Sequence, residues 1–497
     1  MGRGTHFSSV SLRTVLHLAM PLKPSIDFSE FISFSDLAVF FGILLLTLFA
    51  AYWGNLLRKR AAGINSLLEY LVMGRALSLP LFVATLVSTW YGGIFGVTQI
   101  AFEHGVYNFV TQGLFWYVAY LIFAFFLVDR IRGVGAVTLP ELVGKIFGPR
   151  AEKVAGVFNF FNVLPIAYVI SIGLFIQVIF GGELLICTVI GTVLIAFYAM
   201  AGGLRSVVFS DLIQFTVMCL SVFVVAVYSV ASFGGLEFLR AKLPTTHFSP
   251  TGGHSWATTL VWGFIALETL VDPTFYQRCF AAKNTKVARH GILISTLVWC
   301  GFDLCTTMGG LYARALVPEA QSNQSYLIYA MQILPSGLRG FFLAGILATI
   351  LSTLDSFLFV AANTVSYDLS PKRFRKSVRF NHICTFAVAI FTVFLSSVFN
   401  GSIEDAWKTI GSYSAGCLLL PMMIGLFRPG MIGEISFIMG TTFGVVGITY
   451  WRLTEHVGFL AEVDDFYVGV LATACGIVLG KWIERKLHRA SVVHKFL

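Results

Sequence analysis

The stretch TILSTLDSFLF, residues 349–359, sets Thr349, Ser352, Thr353 and Ser356 at i, i+3, i+4 and i+7, one face of a helix, with Asp355 beside that face. Hydroxyl and carbonyl oxygens are hard ligands for a hard cation, and a carboxylate supplies charge balance where the dielectric is low. A single Ser or Thr in an apolar helix commonly bonds back to its own backbone; four on one face next to an acid point to cation binding. A second acid, Asp211, lies in AGGLRSVVFSDLIQ. It either pairs with Arg205 near an interface or meets Ser352 and Ser356 from across a helix bundle. Two acids so placed in low dielectric hold either a cation or a proton between them.

The elements that must position these residues are membrane helices. The chain is 57% hydrophobic and only 12% charged, with a mean hydropathy of +0.81, far outside the range of water-soluble domains. Apolar stretches of spanning length predict thirteen helices, near 34–56, 79–103, 108–129, 154–180, 182–200, 206–231, 255–277, 290–312, 338–364, 381–400, 404–427, 433–451 and 464–482. With the N-terminus outside and the C-terminus cytoplasmic, most of the 34 basic residues gather on the inner side, among them Arg58, Lys59, Arg60, Arg278, Lys372, Arg373 and Arg375. The net charge of +9 thus reads as orientation in a cell membrane and not as a nucleic-acid footprint. The eight cysteines lie within or at the ends of apolar runs and read as small hydrophobes. Residues 1–33 contain too short an apolar stretch for a signal peptide, and the chain's natural start could be Met20.

Two of the predicted helices look interrupted. VSTWYGGIFG puts Gly92 and Gly93 in the middle of the second, where adjacent glycines favour unwinding, although glycines also serve close helix packing. ALETLVDPTFYQR puts Glu268 and an Asp272–Pro273 step in the seventh. Interrupted helices at corresponding places in two halves are the sequence mark of an inverted-repeat transporter that binds its cargo at the breaks.

At these residues the chain resembles the sodium:solute symporter family: AGGLRSVVFSDLIQ, DPTFYQRCFAAKN, TLPELVGKIFG, GLYARALVP and LATILSTLDS fall in the family's order. The resemblance implies an all-α integral membrane fold of the leucine-transporter type, with a 5+5 inverted-repeat core, one helix before it and two after. The division would be 1–33, an outer N-terminal extension; 34–60, the extra helix; 78–231 and 255–428, the two repeats; 433–482, two C-terminal helices; and 483–497, a cytoplasmic tail. It implies Na+ as coupling ion, no organic cofactor, and a first Na+ site made of the Leu86, Thr89 and Thr349 carbonyls with the Ser352 and Thr353 hydroxyls. Some members are similar in holding a second Na+ at positions matching Asp211, Ser352, Asp355 and Ser356. Asp355 departs from the hydroxyl residue usual there, which would strengthen that site or turn it over to a proton.

The cargo is a small polar organic solute. Arg and Lys are expected to be absent from the middle of the core helices, which disfavours a carboxylate held by a buried arginine and prefers a neutral, zwitterionic or amine-bearing solute. Trp90, Tyr91, Gly92, Gly93, Gln99, Trp262 and Glu268, on or next to the breaks, are the candidate solute contacts. The partners are therefore the solute, Na+ and the bilayer, with no nucleic acid and no obligatory protein partner. A membrane sensor module would need a signalling domain, which nothing after Trp482 supplies, and an enzyme would need a catalytic constellation that the scattered histidines do not make.

Overall fold

The computed structural model describes residues 22–23, 25, 27–61, 66–200, 203–375, 377–457, 460 and 463–493. Most of the N-terminal extension, the alternative start at Met20 and the end of the tail lie outside the described residues. Among those described, an isolated parallel bridge between Leu77 and Ala282 is the one departure from helix, turn and loop.

Helix α1 (Phe34–Ala61) precedes the core. The next apolar stretch is two helices, α2 (Leu79–Ser88) and α3 (Ile94–His104), parted by a non-helical segment that contains both glycines. Then come α4 (Phe109–Val134), α5 (Pro149–Asn162), α6 (Ile166–Phe180), α7 (Leu184–Ala199) and α8 (Gly203–Phe233). The seventh expected stretch is again two helices, α9 (Trp256–Ile265) and α10 (Pro273–Ala281), joined by a tight helical turn over 266–271. The chain continues through α11 (Thr285–Leu316), α12 (Leu338–Asn363), α13 (Val378–Ser396), α14 (Ile403–Phe427), α15 (Glu434–Leu453) and α16 (Asp465–Val493). Each expected stretch contains helix, three of them with a break inside, and the count of thirteen spans is not established. Nine helices among the described residues are long and apolar enough to cross a membrane. Side chains such as Phe41, Leu45 and Phe49 on α1 and Leu194 and Phe197 on α7 face outward uncovered, as a lipid-facing surface requires.

Helix ends are fixed by local chemistry. Asp272 starts α10 by accepting from the Thr274 and Phe275 amides at 2.8 and 2.9 Å, ahead of a proline whose missing N–H costs nothing in the first turn. Asn284 caps α11 through the Val287 amide. Helix α12, which carries the polar face, is capped from another helix: Asp36 of α1 accepts from the Gly337 and Gly340 amides at 2.7 and 2.9 Å. A Cβ at Gly340 would run into the Asp36 backbone, so glycine is what lets α1 come this close.

A third interruption was not expected. The stretch read as one helix over 154–180 breaks between Asn162 and Ile166, at Pro165, because proline lacks the amide that would continue the ladder. The bridge at Leu77 and Ala282, with Leu77 N donating to Ala281 O at 3.0 Å and Lys283 N to Leu77 O at 2.9 Å, ties the start of α2 to the end of α10. The two expected breaks are therefore neighbours in space.

Candidate functional site

The first cluster forms where α12 crosses the end of α2. The Ser352 hydroxyl lies 2.8 Å from the Ser88 carbonyl and 2.8 Å from the Ala348 carbonyl, and the Thr353 hydroxyl lies 3.1 Å from the Ser88 and Thr349 carbonyls. Ser88 ends α2, where helical carbonyls lose their donors. The Trp90 amide turns to the Val87 carbonyl at 3.3 Å, leaving Leu86 without its usual α-helical donor. Thr349 bonds back to Gly345 through its hydroxyl at 2.6 Å, so its contribution here is the carbonyl. Ser88, Thr349, Ser352 and Thr353 are all fully buried. The expected Ser352 and Thr353 hydroxyls thus meet the break, and Ser88, which sequence reading passed over, is the carbonyl they touch.

The second cluster lies one turn away. Thr85 donates to the Asp211 carboxylate at 2.5 Å, and Thr89 lies 3.2 Å from Ser356. Arg205, the alternative partner for Asp211, pairs instead with Glu69. The cation here is Arg278, and this corrects two expectations: it is not a cytoplasmic surface residue, and the core is not free of arginine. Its side chain is fully buried. The guanidinium donates to the Thr89 and Ser356 hydroxyls, both at 2.8 Å, lies 3.4 Å from Thr85, and is steadied by Gln277 at 2.8 Å. No ion pair joins Arg278 to Asp211 or Asp355 among the described residues; Thr85 stands between it and Asp211. A buried guanidinium is tolerable only among such partners. One oxygen each of Asp211 and Asp355 has no hydrogen-bond partner.

The third feature is a cleft beside the break, lined by Trp90, Tyr91 and Gly93 from the α2–α3 segment, by Trp262 and Glu268 from α9 and the turn after it, and by residues from α4, α5, α6, α11, α12 and α14. Its walls are aromatic: Tyr120 and Trp299 have ring centroids 4.4 Å apart, Trp90 and Tyr120 6.0 Å, and Trp116 and Trp262 6.3 Å. Its charged groups are all acids, Glu268, Asp272 and Asp303, and neither Arg nor Lys lines it among the described residues.

Of the expected solute contacts, Trp90, Tyr91, Gly93, Trp262 and Glu268 come together here. Gly92 stands just behind the wall: a Cβ there would come within 2.6 Å of Thr353 and 2.8 Å of Tyr168, and one on Gly93 would strike the Trp407 ring. Gln99 is a correction. It points away from the cleft and donates to Glu103 at 3.1 Å, one turn on along α3. Sequence reading places Asp303 as an acid inside a span without naming it a solute contact, and it missed Tyr120, Trp299 and Trp407, which come from helices far apart in the chain.

The sequence profile described as "SSF: Sodium:solute symporter family" matches residues 70–449. The chain is 26% identical to the mouse (Mus musculus) sodium/glucose cotransporter 4, over 82% of this chain and 66% of that protein. It is 27% identical to the sodium/pantothenate symporter of Haemophilus influenzae, over 60% of this chain and 64% of that protein. The chain therefore spans about two thirds of the length of these relatives. Among solved structures it is similar to a Na+-coupled sialic acid symporter in a substrate-bound, outward-open state, with a TM-score of 0.73 at 15% identity over 90% of this chain and 98% of that one. It is also similar to a nucleobase-cation-symport-1 family transporter in a closed conformation, with a TM-score of 0.51 at 12% identity over 84% of this chain and 95% of that one. These two likenesses speak to the fold.

Proposed function

Since the chain belongs to the sodium:solute symporter family, a family of transporters and not of enzymes, with Na+ as coupling ion, we propose that it carries a small polar organic solute across a cell membrane together with one Na+ by alternating access. The observation that carries this reading is the convergence of the Ser352 and Thr353 hydroxyls on the Ser88 carbonyl at the break in the first core helix. Unwound backbone beside a hydroxyl face offers Na+ the hard oxygens it needs. The ion would be held by the two hydroxyls with carbonyls of Leu86, Thr89 and Thr349. Ordering of the break by Na+ shapes the adjoining wall of the cleft, since Gly92 lies against Thr353 on one side and Trp90, Tyr91 and Gly93 line the cleft on the other. That contiguity makes Na+ and solute favour one another's binding, and the coupling must be reciprocal.

The Asp211, Asp355 and Ser356 group is read here as sharing Arg278, a cation tethered to the chain through the Thr89 and Ser356 hydroxyls, which favours one coupling ion in place of two. Residues 78–231 and 255–428 are read as the two five-helix repeats, with 34–60 before and 433–482 after them, and the basic residues Arg58 to Arg60 and Lys372 to Arg375 support a cytoplasmic face at those turns. The relatives' names put glucose and pantothenate on the first panel of solutes to try. Purified protein in proteoliposomes should accumulate its solute under an inward Na+ gradient. Equal accumulation without Na+, or accumulation driven by a proton gradient alone, would overturn the reading.

A further inference from the structure

We infer that the central cleft takes an organic cation, a solute that presents an ammonium group to Asp303 and Glu268 within the aromatic walls. This rests on the transport reading above and adds the class of solute. Asp303 is 2% exposed, and its two oxygens are treated differently. One accepts from the Tyr117 hydroxyl; the other is buried without a partner, on a residue that lines the cleft. Glu268 likewise leaves one buried oxygen without a donor. Asp272 is already served by the first amides of α10 and by Thr274 at 2.5 Å, and lies within the influence of Arg278. Two acids are therefore left facing a cleft that contains no base of its own among the described residues. A carboxyl group held out of water either keeps its proton or is balanced by a cation that arrives.

The walls decide which kind. A metal ion would look for a shell of oxygens, and the cleft offers indole and phenol faces instead. Trp90, Trp116, Tyr120, Trp262 and Trp299 supply the negative ring faces over which an alkylammonium sits well and a hydrated metal ion does not. The contrast with the neighbouring cluster is internal to the protein: there the chain buries Arg278 among the acids and hydroxyls, and in the cleft it places no base among the described residues.

The cleft's tryptophans provide the readout. Binding is followed by quenching of tryptophan fluorescence in the purified full chain with Na+ present, using choline against its neutral isostere 3,3-dimethyl-1-butanol, and putrescine against 1,4-butanediol. At least one cation should quench saturably, with its neutral partner at least tenfold weaker, and Asp303→Asn should erase that difference; if that variant does not fold, Glu268→Gln takes its place. Neutral partners that bind as well as the cations, no binding by either cation, or a preference that survives in every folded variant would overturn the inference. The response to Na+ alone, and its weakening in the Ser352→Ala, Thr353→Ala double variant, tests the transport reading separately.

Discussion

Two buried acidic regions flank the same helix break, and the chain treats them in opposite ways. Around Asp211 and Asp355 it buries its own guanidinium, with hydroxyls of Thr85, Thr89 and Ser356 between the charges. Around Glu268 and Asp303 it supplies rings and no base. The first region holds a cation of its own; the second is left for something that arrives. The difference teaches that counting acids in membrane helices does not locate a ligand site. What locates it is whether the fold has already provided the opposite charge.

The comparison can be broken most severely at the break itself. A leucine at Gly93 would drive its side chain into Trp407, and one at Gly92 into Thr353 and Tyr168. Either change should lower uptake by roughly a hundredfold or more while surface expression stays near normal, as measured by radiolabelled uptake against antibody-detected protein. Normal uptake would mean that these glycines serve packing alone.

Next in size is the tethered cation. Arg278→Met removes the buried cation that the Thr89 and Ser356 hydroxyls bond and leaves the nearby acids without it, which should lower the thermal unfolding midpoint of the purified protein. Adding Asp355→Asn removes one of the two acids and should recover part of that loss. If the double variant is no more stable than the single one, the guanidinium and Asp355 are not a working pair.

The Na+ cluster follows. Replacing Ser352 and Thr353 together with Ala should raise the Na+ concentration for half-maximal uptake by about tenfold, or about 1.4 kcal/mol. An unchanged Na+ curve would place the ion elsewhere. The smallest effect belongs to Gln99, which bonds to Glu103 outside the cleft. Gln99→Ala should change solute affinity by less than about twofold, and a large loss would return Gln99 to the solute site.

Much of the architecture is legible in the sequence because a bilayer makes simple demands: every expected apolar stretch contains helix, and Gly92–Gly93 and Asp272–Pro273 mark breaks through backbone chemistry alone. Pro165 carried the same kind of signal and was absorbed into a long apolar run. Arg278 was misplaced for an instructive reason. A basic residue near the end of an apolar stretch reads as an interfacial charge, and only the packing of α10 against α2 and α12 turns it inward. The hydroxyl face of α12 is local and could be read; its partner carbonyl at Ser88 depends on which way two helices meet. The cleft is the least legible part. Trp90, Tyr120, Trp299 and Asp303 stand on different helices, and no spacing along the chain announces their meeting.

The number and place of bound Na+ ions tests the account most directly, and needs no knowledge of the solute. Equilibrium binding of radioactive Na+ to purified protein should give one ion per chain, and the Ser352→Ala, Thr353→Ala double variant should lose it at the same Na+ concentration. Two ions per chain in the unaltered protein would contradict the role given to Arg278, and undiminished binding in the double variant would contradict the site itself.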